Sequence, residues 1–356
     1  MENNIQNLQK NAIRLLQDLI STPSFSKEEE NTAQVISDFL YSKGIKVNRV
    51  KNNVWARNLH FDPTKPTILL NSHHDTVKPN KGYTKDPFFP QIEENQLFGL
   101  GSNDAGGSLV SLIAVFLHFQ DNPDLKYNLI LAATAEEENS GADGVELVLP
   151  HLGKIDFAIV GEPTQMQLAI AERGLFVIDC LATGKAGHAA RKEGENALYK
   201  ALVDIDWFRN YSFEKVSELL GPIQMTVTVI ETENKAHNVV PAQCRFVVDV
   251  RVNELYSFEE ILDVIRLHIH SEIQPRSLRM RSTGISKDHP LIKAGLELGR
   301  TTYGSPTTSD KALMPFPALK MGSGDSARSH TADEFIYIDE IEAGIELYIQ
   351  LLKKLL

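Results

Sequence analysis

A predicted buried strand that ends in polar residues constrains the fold of this chain more than any other feature. Residues 67–70, TILL, are mostly apolar and follow a proline, and the polar run 71–75, NSHHD, comes at once. Open α/β sheets bind their ligands at the carboxyl ends of the strands. Imidazole is the commonest metal ligand in proteins, and a carboxylate beside its second nitrogen fixes the tautomer. His73 is therefore a candidate metal ligand, and Asp75 is the candidate for the residue that orients it.

Metal-competent side chains also follow four further segments. These segments are 97–107 with Asp104, 127–135 with Glu136, Glu137 and Glu138, 156–161 with Glu162, and 318–325 with His330 and Glu334. The first is a glycine-rich turn that opens a predicted helix at 108–119, and the second and third are strand-like runs. Several strand ends thus present carboxylates, and a late segment adds a second imidazole.

Five segments together resemble the ordered motifs of a known family. They read SHHDTV, GLGSNDAGG, TAEEENSG, VGEPT and GSGDSARSHTADE. The family is that of the co-catalytic di-zinc amidohydrolases and metallopeptidases, which includes acetylornithine deacetylase, succinyl-diaminopimelate desuccinylase, aminoacylase and glutamate carboxypeptidase. One such motif alone would be weak, but here all five follow in the family's order, and the match extends from LISTPSFSKEE near the start of the chain to His330.

The resemblance implies a role for each motif residue. The implied ligands of two zinc ions, which cobalt or manganese could replace, are Asp104 as the bridge, His73 and Glu162 at one ion, and Glu138 and His330 at the other. Glu137 would be the general acid/base, and Asp75 would hold the ring of His73. Such a ligand set leaves an open position for a bridging water, as hydrolytic sites require. The family also implies a cis peptide bond after Asp104.

The three consecutive glutamates leave two alignments open. In the favoured one, Glu137 and Glu138 are the functional pair; in the rival one, Glu136 and Glu137 are. Alternation along an extended segment predicts that His74 points away from the metal. Glu334 either supports the second histidine or is a solvated carboxylate.

Residues 173–283 have a different pattern from the segments around them. The predicted elements are a strand at 175–183, a helix at 196–208, strands at 223–231 and 244–252, a helix at 258–270 and a strand at 278–282. This βαββαβ order is typical of a ferredoxin-like domain. Because His330 lies beyond it, we predict a discontinuous α/β catalytic domain, zinc-peptidase-like with a mixed central sheet and flanking helices, at 1–172 and 284–356. In the family, the inserted domain is a lid and dimerisation domain, which implies a homodimer.

The inserted domain would also supply substrate contacts. The resemblance matches His188, in AGHAAR, to a histidine that reaches the partner subunit's active site and donates to the oxyanion. Arg173, in ERG, and Asn238, in HNVVP, match residues that contact the substrate carboxylate or carbonyl, and a guanidinium suits a carboxylate because it binds through two N–H groups. The candidate backbone donors to the substrate are Gly322, Ser323 and Gly324.

Size and charge exclude other classes of protein. A chain of 356 residues ordinarily forms about two domains. A net charge of -11 argues against nucleic acid or an anionic membrane as a partner. Apolar residues at helical spacing in 5–19 predict an amphipathic helix rather than a signal peptide or a membrane span, so we expect a cytoplasmic protein. Two predicted capping boxes, Ser26 with Glu29 and Ser257 with Glu260, mark the starts of helices.

We therefore predict a metal-dependent hydrolase that removes an acetyl or succinyl group from the α-nitrogen of an amino acid. Glu137 would be the acid/base and a metal-bridging water the nucleophile. The main interpretation is an acetylornithine deacetylase-like enzyme of arginine biosynthesis, acting on acylated ornithine or citrulline. A succinyl-diaminopimelate desuccinylase or a metal-dependent dipeptidase would share every ligand. A non-catalytic binding homologue would have lost the acid/base or a ligand, and all six positions are filled.

Overall fold

The structure is a computed structural model that describes residues 2–191 and 193–356. The chain divides into two compact units. The first contains residues up to 170 together with 284–303 and 309–356, and the second contains 171–283 together with 304–308.

The helices in the described part of the chain are α1 (Glu2–Ile20), α2 (Glu30–Ser42), α3 (Gly107–Phe119), α4 (Val145–Leu152), α5 (Ala197–Asn210), α6 (Phe258–His268), α7 (Pro290–Glu297) and α8 (Ile338–Lys353). The strands are β1 (Val47–Val50), β2 (Asn53–Arg57), β3 (Thr67–His73), β4 (Gln91–Glu93), β5 (Gln96–Phe98), β6 (Asn128–Thr134), β7 (Phe157–Val160), β8 (Leu168–Glu172), β9 (Gly174–Thr183), β10 (Gly187–His188), β11 (Gln224–Thr232), β12 (Val239–Val240), β13 (Gln243–Val252), β14 (Glu272–Pro275), β15 (Thr283–Gly284), β16 (Thr302–Ser305), β17 (Ala318–Lys320) and β18 (Phe335–Tyr337). None of these helices has the length and hydrophobicity needed to span a bilayer.

The first unit is built on a mixed sheet in the order β1-β2-β6-β3-β7-β17-β8. Its centre is parallel: β3 lies between β6 and β7, and β17 pairs with β7 on the far side. β1 and β2 extend the sheet in antiparallel fashion at one edge. Every residue of β3, β6 and β7 is buried, as expected for parallel strands covered on both faces. The predicted α/β fold class with a mixed central sheet is confirmed.

Helix α3 forms the centre of one helical layer of the first unit. Its residues from Gly107 to Phe116 are all buried, and it packs against α1 and α8. A helix that is apolar on every side must be enclosed by other elements. On the other face of the sheet, α4 packs on residues of β6 and β3 such as Ile130 and Leu69. The start of α3 is therefore fixed within the core, directly after the Asp104 turn.

The second unit has a four-stranded antiparallel sheet in the order β11-β13-β9-β14. Helices α5 and α6 cover one face, where Phe208 and Ile265 join Phe176 and Phe246 in a buried cluster. Alternate residues of β9 and β13 are buried, which is the pattern of a sheet covered on one side. The predicted ferredoxin-like order βαββαβ is confirmed.

Two predictions about this unit need correction. The fourth strand is β14, at Glu272–Pro275, and not the predicted segment 278–282. A proline in this run obscured it, but an edge strand tolerates proline because one side of its backbone has no strand partner. Residues 304–308, assigned to the first domain by sequence, belong to the second unit. There the Arg173 amide donates to the Ser305 carbonyl at 3.2 Å, and the Thr308 hydroxyl donates to the Arg173 carbonyl at 2.9 Å.

The two predicted capping boxes had different outcomes. Ser257 and Glu260 form a capping box at the start of α6, with bonds of 3.1 and 2.7 Å. Ser26 does not cap α2, which has Glu29 at its N-cap position and no side-chain cap. The Ser26 hydroxyl instead donates to Asp75 at 2.7 Å. Sequence spacing alone could not show this competing acceptor, 49 residues away.

Candidate metal centre

The carboxyl ends of three neighbouring parallel strands bring the predicted ligands together. β3 ends at His73, which lies opposite Thr134 at the end of β6. The three glutamates 136–138 follow β6, and Glu162 follows β7. Since β6, β3 and β7 are adjacent and parallel, their ends meet at one edge of the sheet.

Asp104 faces both histidines through different oxygens. Its Oδ1 lies 3.3 Å from Nε2 of His73, and its Oδ2 lies 3.8 Å from Nε2 of His330. On the first side, Glu162 Oε1 is 3.8 Å from the same nitrogen of His73. On the second side, Glu138 Oε2 is 3.0 Å from Nε2 of His330. The five predicted ligands thus form two groups that share Asp104.

The donor set suits divalent cations. Ligand atoms of His73, Asp104 and Glu138 lie within 4.8 Å of one another, as do those of His73, Glu137 and Glu162. Oε1 of Glu162 is buried and has no hydrogen-bond partner among the described residues. Buried carboxylates ordinarily need such partners, and a cation would satisfy this oxygen. Mixed imidazole and carboxylate ligands are typical of hydrolytic zinc sites.

The electrostatics of the metal-free protein reflect the same crowding of acidic groups. Burial raises the pKa of Glu162 to about 8, although Lys320 opposes this shift. Burial and the charge of Glu162 raise the pKa of Glu137 well above its usual value. The hydrogen bond that His330 donates to Glu138 raises the pKa of His330 to about 9. A positive charge placed among these groups would favour ionised carboxylates and neutral histidines.

Asp75 supports the site differently from the sequence prediction. Nδ1 of His73 is closer to the backbone carbonyl of Asp75, at 3.0 Å, than to its carboxylate, at 3.4 Å. The buried carboxylate instead accepts the amides of Glu137 and Glu138, at 3.0 and 3.1 Å, and the Ser26 hydroxyl. Asp75 therefore orients both the His73 ring, mainly through its main chain, and the two glutamates that follow β6.

The geometry favours one alignment of the glutamates. Glu136 adopts a left-handed φ of 57°. Burial raises the pKa of its carboxyl, and the carboxylates that add to this shift are Asp143 and Glu29, which belong to neither ligand group. Glu137 instead lies close to His73 and Glu162, and Glu138 lies close to His73 and Asp104. The prediction for His74 is confirmed, because its ring bonds Thr32 and the Asn52 carbonyl, each at 2.9 Å.

Glu334 is a buried carboxylate that bonds the turn containing Asp104. It is buried, at 2% exposure, and accepts the backbone amides of Gly101, Asn103 and Asp104 at 3.1, 2.9 and 2.9 Å. The hypothesis of a solvated carboxylate is therefore wrong, and support for His330 stays a prediction. The predicted cis peptide bond between Asp104 and Ala105 is present.

Asp310 is a buried acidic residue of this region that the sequence did not indicate. Its Oδ2 accepts from Asn71 at 3.0 Å and from Thr134 at 2.7 Å, near the ends of β3 and β6. Burial raises its pKa to about 6, against the effect of these two bonds. It follows no strand and belongs to no motif, so no pattern singled it out.

The predicted substrate residues of the second unit lie in two places. His188, in β10, pairs with Val239 of β12, and the Asn238 carbonyl accepts the amide of Ala189 at 3.0 Å. This ribbon brings AGHAAR and HNVVP side by side, with His188 and Asn238 exposed. Arg173 is buried, and its guanidinium donates to the Leu220 carbonyl.

The glycine and serine residues proposed as backbone donors are engaged within the first unit. The Gly322 amide donates to the Thr164 hydroxyl at 3.0 Å, which removes it as a free donor for a substrate. Ser323 is buried, and its carbonyl accepts from the Ser108 hydroxyl at 3.1 Å. Gly324 has a left-handed φ of 93°, and a Cβ there would lie 2.5 Å from Asn103 Oδ1, so this position requires glycine. The Gly322 amide is thus engaged by Thr164, whereas the amides of Ser323 and Gly324 stay predicted donors to a substrate.

Two histidines and four carboxylates thus lie together beside the ends of three parallel strands. This arrangement is typical of metal-dependent hydrolases. The chain belongs to peptidase family M20/M25/M40, whose family model matches residues 69–354. It is a metal-dependent amidohydrolase, as the resemblance predicted.

Among curated relatives, the chain is similar to two bacterial desuccinylases over nearly its whole length. Succinyl-diaminopimelate desuccinylase 2 of Ruegeria sp. (strain TM1040) is 25% identical, with 96% of this chain and 94% of that protein covered. Succinyl-diaminopimelate desuccinylase of Thioalkalivibrio sulfidiphilus (strain HL-EbGR7) is 26% identical, with 96% and 98% covered.

Solved structures of the family share the fold. Aminopeptidase PepT from Bacillus cereus ATCC 10987 superposes with a TM-score of 0.78 at 16% identity, with 98% of each chain covered. A Bacillus subtilis protein described as a dinuclear metal-binding peptidase of the M20 family superposes with a TM-score of 0.70 at 15% identity, with 97% of this chain and 98% of that chain covered.

Proposed function

We propose that this protein hydrolyses the amide bond of N-acylated amino acids, with N-succinyl-diaminopimelate as its preferred substrate. The two desuccinylases, at 25% and 26% identity over 96% of the chain, favour this substrate over acylated ornithine. The main interpretation from sequence, an acetylornithine deacetylase of arginine biosynthesis, thus becomes the second candidate. The observation on which the chemistry depends is Asp104, whose two oxygens face His73 and His330.

Two zinc ions would be held by the five predicted ligands. His73 and Glu162 would bind one ion, Glu138 and His330 the other, and Asp104 both. Support comes from the distances that join Asp104 and Glu162 to His73 and Asp104 and Glu138 to His330, and from the unpartnered oxygen of Glu162. Such a pair of ions lowers the pKa of water and polarises the scissile carbonyl. Cobalt and manganese accept the same ligand types.

Glu137 would move the proton. Its carboxyl lies among the ligand groups without being needed as a ligand, and its amide is held by Asp75 at 3.0 Å. As a carboxylate it would take a proton from the attacking water and then deliver it to the leaving nitrogen.

The second unit would recognise the substrate's charged groups. Arg173 and Arg251 are its candidate cations, and burial, followed by the charge of Arg251, lowers the pKa of Arg173. Arg251 is partly neutralised by Asp249, at 2.8 Å. Local positive charge of this kind suits a substrate with several carboxylates. N-Succinyl-diaminopimelate has three, whereas N-acetylornithine has one.

We also propose a homodimer formed through the second unit. β11 is an edge strand of the four-stranded sheet, and an edge strand offers unpaired backbone groups to a partner. Exposed apolar side chains lie on this strand and on α5, namely Val229, Ile230, Tyr199, Leu202 and Val203. His188 is exposed in its own unit, as a residue that serves a partner subunit's site would be.

A kinetic panel tests the substrate. Zinc-loaded protein would be assayed with N-succinyl-diaminopimelate, with N-acetyl and N-succinyl derivatives of ornithine and citrulline, and with a simple dipeptide. We expect the highest kcat/KM for N-succinyl-diaminopimelate. A preference for acylated ornithine or citrulline would support the arginine-pathway candidate instead, and no turnover with two metals bound would indicate a binding protein. Glu137→Gln, prepared in the same way, controls for contaminating host enzymes.

Mixed dimers test the contribution of the partner subunit. His188→Ala and Glu137→Gln homodimers should each be nearly inactive, because loss of one oxyanion donor typically lowers kcat about 100- to 1000-fold. After subunit exchange, activity should return, since one site in each mixed dimer has both residues. Exchange of Glu137→Gln with the double variant should restore nothing. A monomer in solution, or exchange without recovery, would overturn the proposal.

A further inference from the structure

We propose that Glu334 is a positioning residue that sets the orientation of Asp104 and thereby the affinity of both metal sites. The inference rests on the proposed role of Asp104 as the bridging ligand. In the described part of the chain, the carboxylate of Glu334 accepts hydrogen bonds from main-chain amides.

The carboxylate of Glu334 organises the turn that presents Asp104. Oε1 accepts the consecutive amides of Asn103 and Asp104, each at 2.9 Å, and Oε2 accepts that of Gly101 at 3.1 Å. Gly101 has a left-handed φ of 75°. This conformation lets its amide point toward the same carboxylate as the amides of Asn103 and Asp104. Three amides on one buried carboxylate leave this turn little freedom to rotate.

The same residue connects the turn to the segment that bears His330. Glu334 lies four positions after His330, and its own carbonyl accepts the Gly99 amide at 2.9 Å. A second connection is made by Asn103, whose carboxamide donates to the Asp325 carbonyl and accepts the Asp325 amide, both at 3.0 Å. The turn and the His330 segment are thus bonded on both sides of the histidine.

This connection sets the distances between Asp104 and the two histidines, on which the binding of two metals would depend. Asp104 Oδ2 and His330 Nε2 are 3.8 Å apart, and Asp104 Oδ1 and His73 Nε2 are 3.3 Å apart. His73 is fixed separately at the end of β3. If the turn rotates, Asp104 can face one histidine but not both. The loss of Glu334 should therefore lower the affinity of both metal sites together.

The test is a metal titration of two variants against a matched control. Glu334→Gln keeps one acceptor oxygen for Asn103 and Asp104 but places an NH2 group against the Gly101 amide; Glu334→Ala removes all three bonds. Asp204→Asn is the control, because Asp204 is an equally buried carboxylate that accepts two amides, of His270 and Ser271, in the second unit. Zinc affinity would be measured by chelator competition, with thermal unfolding of the metal-free proteins and the absorption spectrum of the cobalt forms.

We expect Glu334→Gln to bind zinc about 10- to 100-fold more weakly than wild type, as for other residues that orient ligands, and Glu334→Ala more weakly still. The cobalt spectrum should change in both. Asp204→Asn should lower the unfolding temperature with unchanged affinity and spectrum.

Metal binding by the wild-type protein distinguishes failure of the proposed metal centre from failure of the positioning role. Wild-type protein that fails to bind two metals would refute the proposed metal centre itself. Wild-type protein that binds two, with Glu334→Gln equal to it in affinity and spectrum, would refute only the positioning role. A lowered unfolding temperature in Glu334→Gln, without a change in metal binding, would also refute it.

Discussion

Replacement of Asp75 by asparagine tests how the loop after β6 is held. The Asp75 carboxylate presents one oxygen to the Glu137 amide and the other to the Glu138 amide and the Ser26 hydroxyl, at distances of 2.7 to 3.1 Å. Asparagine has the same shape but only one acceptor oxygen. Either orientation of its carboxamide therefore sets an NH2 group against one backbone N–H.

The size of the effect follows from that single mismatch. A buried donor left without a partner costs about 1–3 kcal/mol. In the metal-free protein the loop can shift so that the stranded amide reaches water. If Glu138 binds a metal as proposed, the metal would fix it and the loop could not shift, so most of the cost would fall on the metal-bound form. We expect metal affinity to fall about 5- to 150-fold, the factor that corresponds to this energy.

Chelator competition on apo protein reloaded with zinc measures this loss. Ser26→Ala is the matched control, because it removes the hydroxyl donor yet leaves both amides with their acceptors; its effect should be the smaller of the two. Wild-type affinity in Asp75→Asn, or a larger loss in Ser26→Ala, would refute the reasoning.

Three further predictions concern proton transfer, metal uptake and stability. Glu137→Gln should lower kcat about 100-fold or more with two metals retained, whereas Glu136→Gln should have little effect on kcat. Steady-state kinetics together with metal analysis checks both variants. Loss of metal from Glu137→Gln would contradict its role in proton transfer. In the metal-free protein Glu138 raises the pKa of His330 to about 9, so a metal must displace a proton, and zinc affinity should rise with pH until about pH 9. An affinity that stays flat below pH 9 would argue against His330 as a ligand. Ser257→Ala should cost about 1 kcal/mol by removing the α6 cap, seen as a lower unfolding temperature with unchanged metal affinity; no thermal shift would mean that the cap is dispensable.

The sequence predicts the sheet of the first unit because its parallel strands are buried on both faces. Continuous apolar runs such as that of β3 end abruptly in polar residues, and the strand ends are also where the ligands lie. The ferredoxin-like order of the second unit was predictable for a similar reason, since β9 and β13 alternate regularly. The short β14 was missed because its four residues include a proline.

Residues whose side chains bond partners distant in sequence are harder to predict. Ser26, Asp310 and Glu334 serve partners far away in sequence, and each lies outside any local pattern that would reveal the partner. Ser26 was even assigned to a capping box, because its spacing to Glu29 fits one. Local rules report what a side chain could bond nearby, whereas the fold decides which of several acceptors it meets.

Anomalous diffraction from zinc-loaded crystals tests the central claim most directly. Two zinc peaks should appear at the ends of β3, β6 and β7, with one Asp104 oxygen on each, His73 and Glu162 at one peak and Glu138 and His330 at the other, and Glu137 bound to neither. A single peak, or a zinc ion coordinated directly by Glu137 in place of Glu162 or Glu138, would contradict the account.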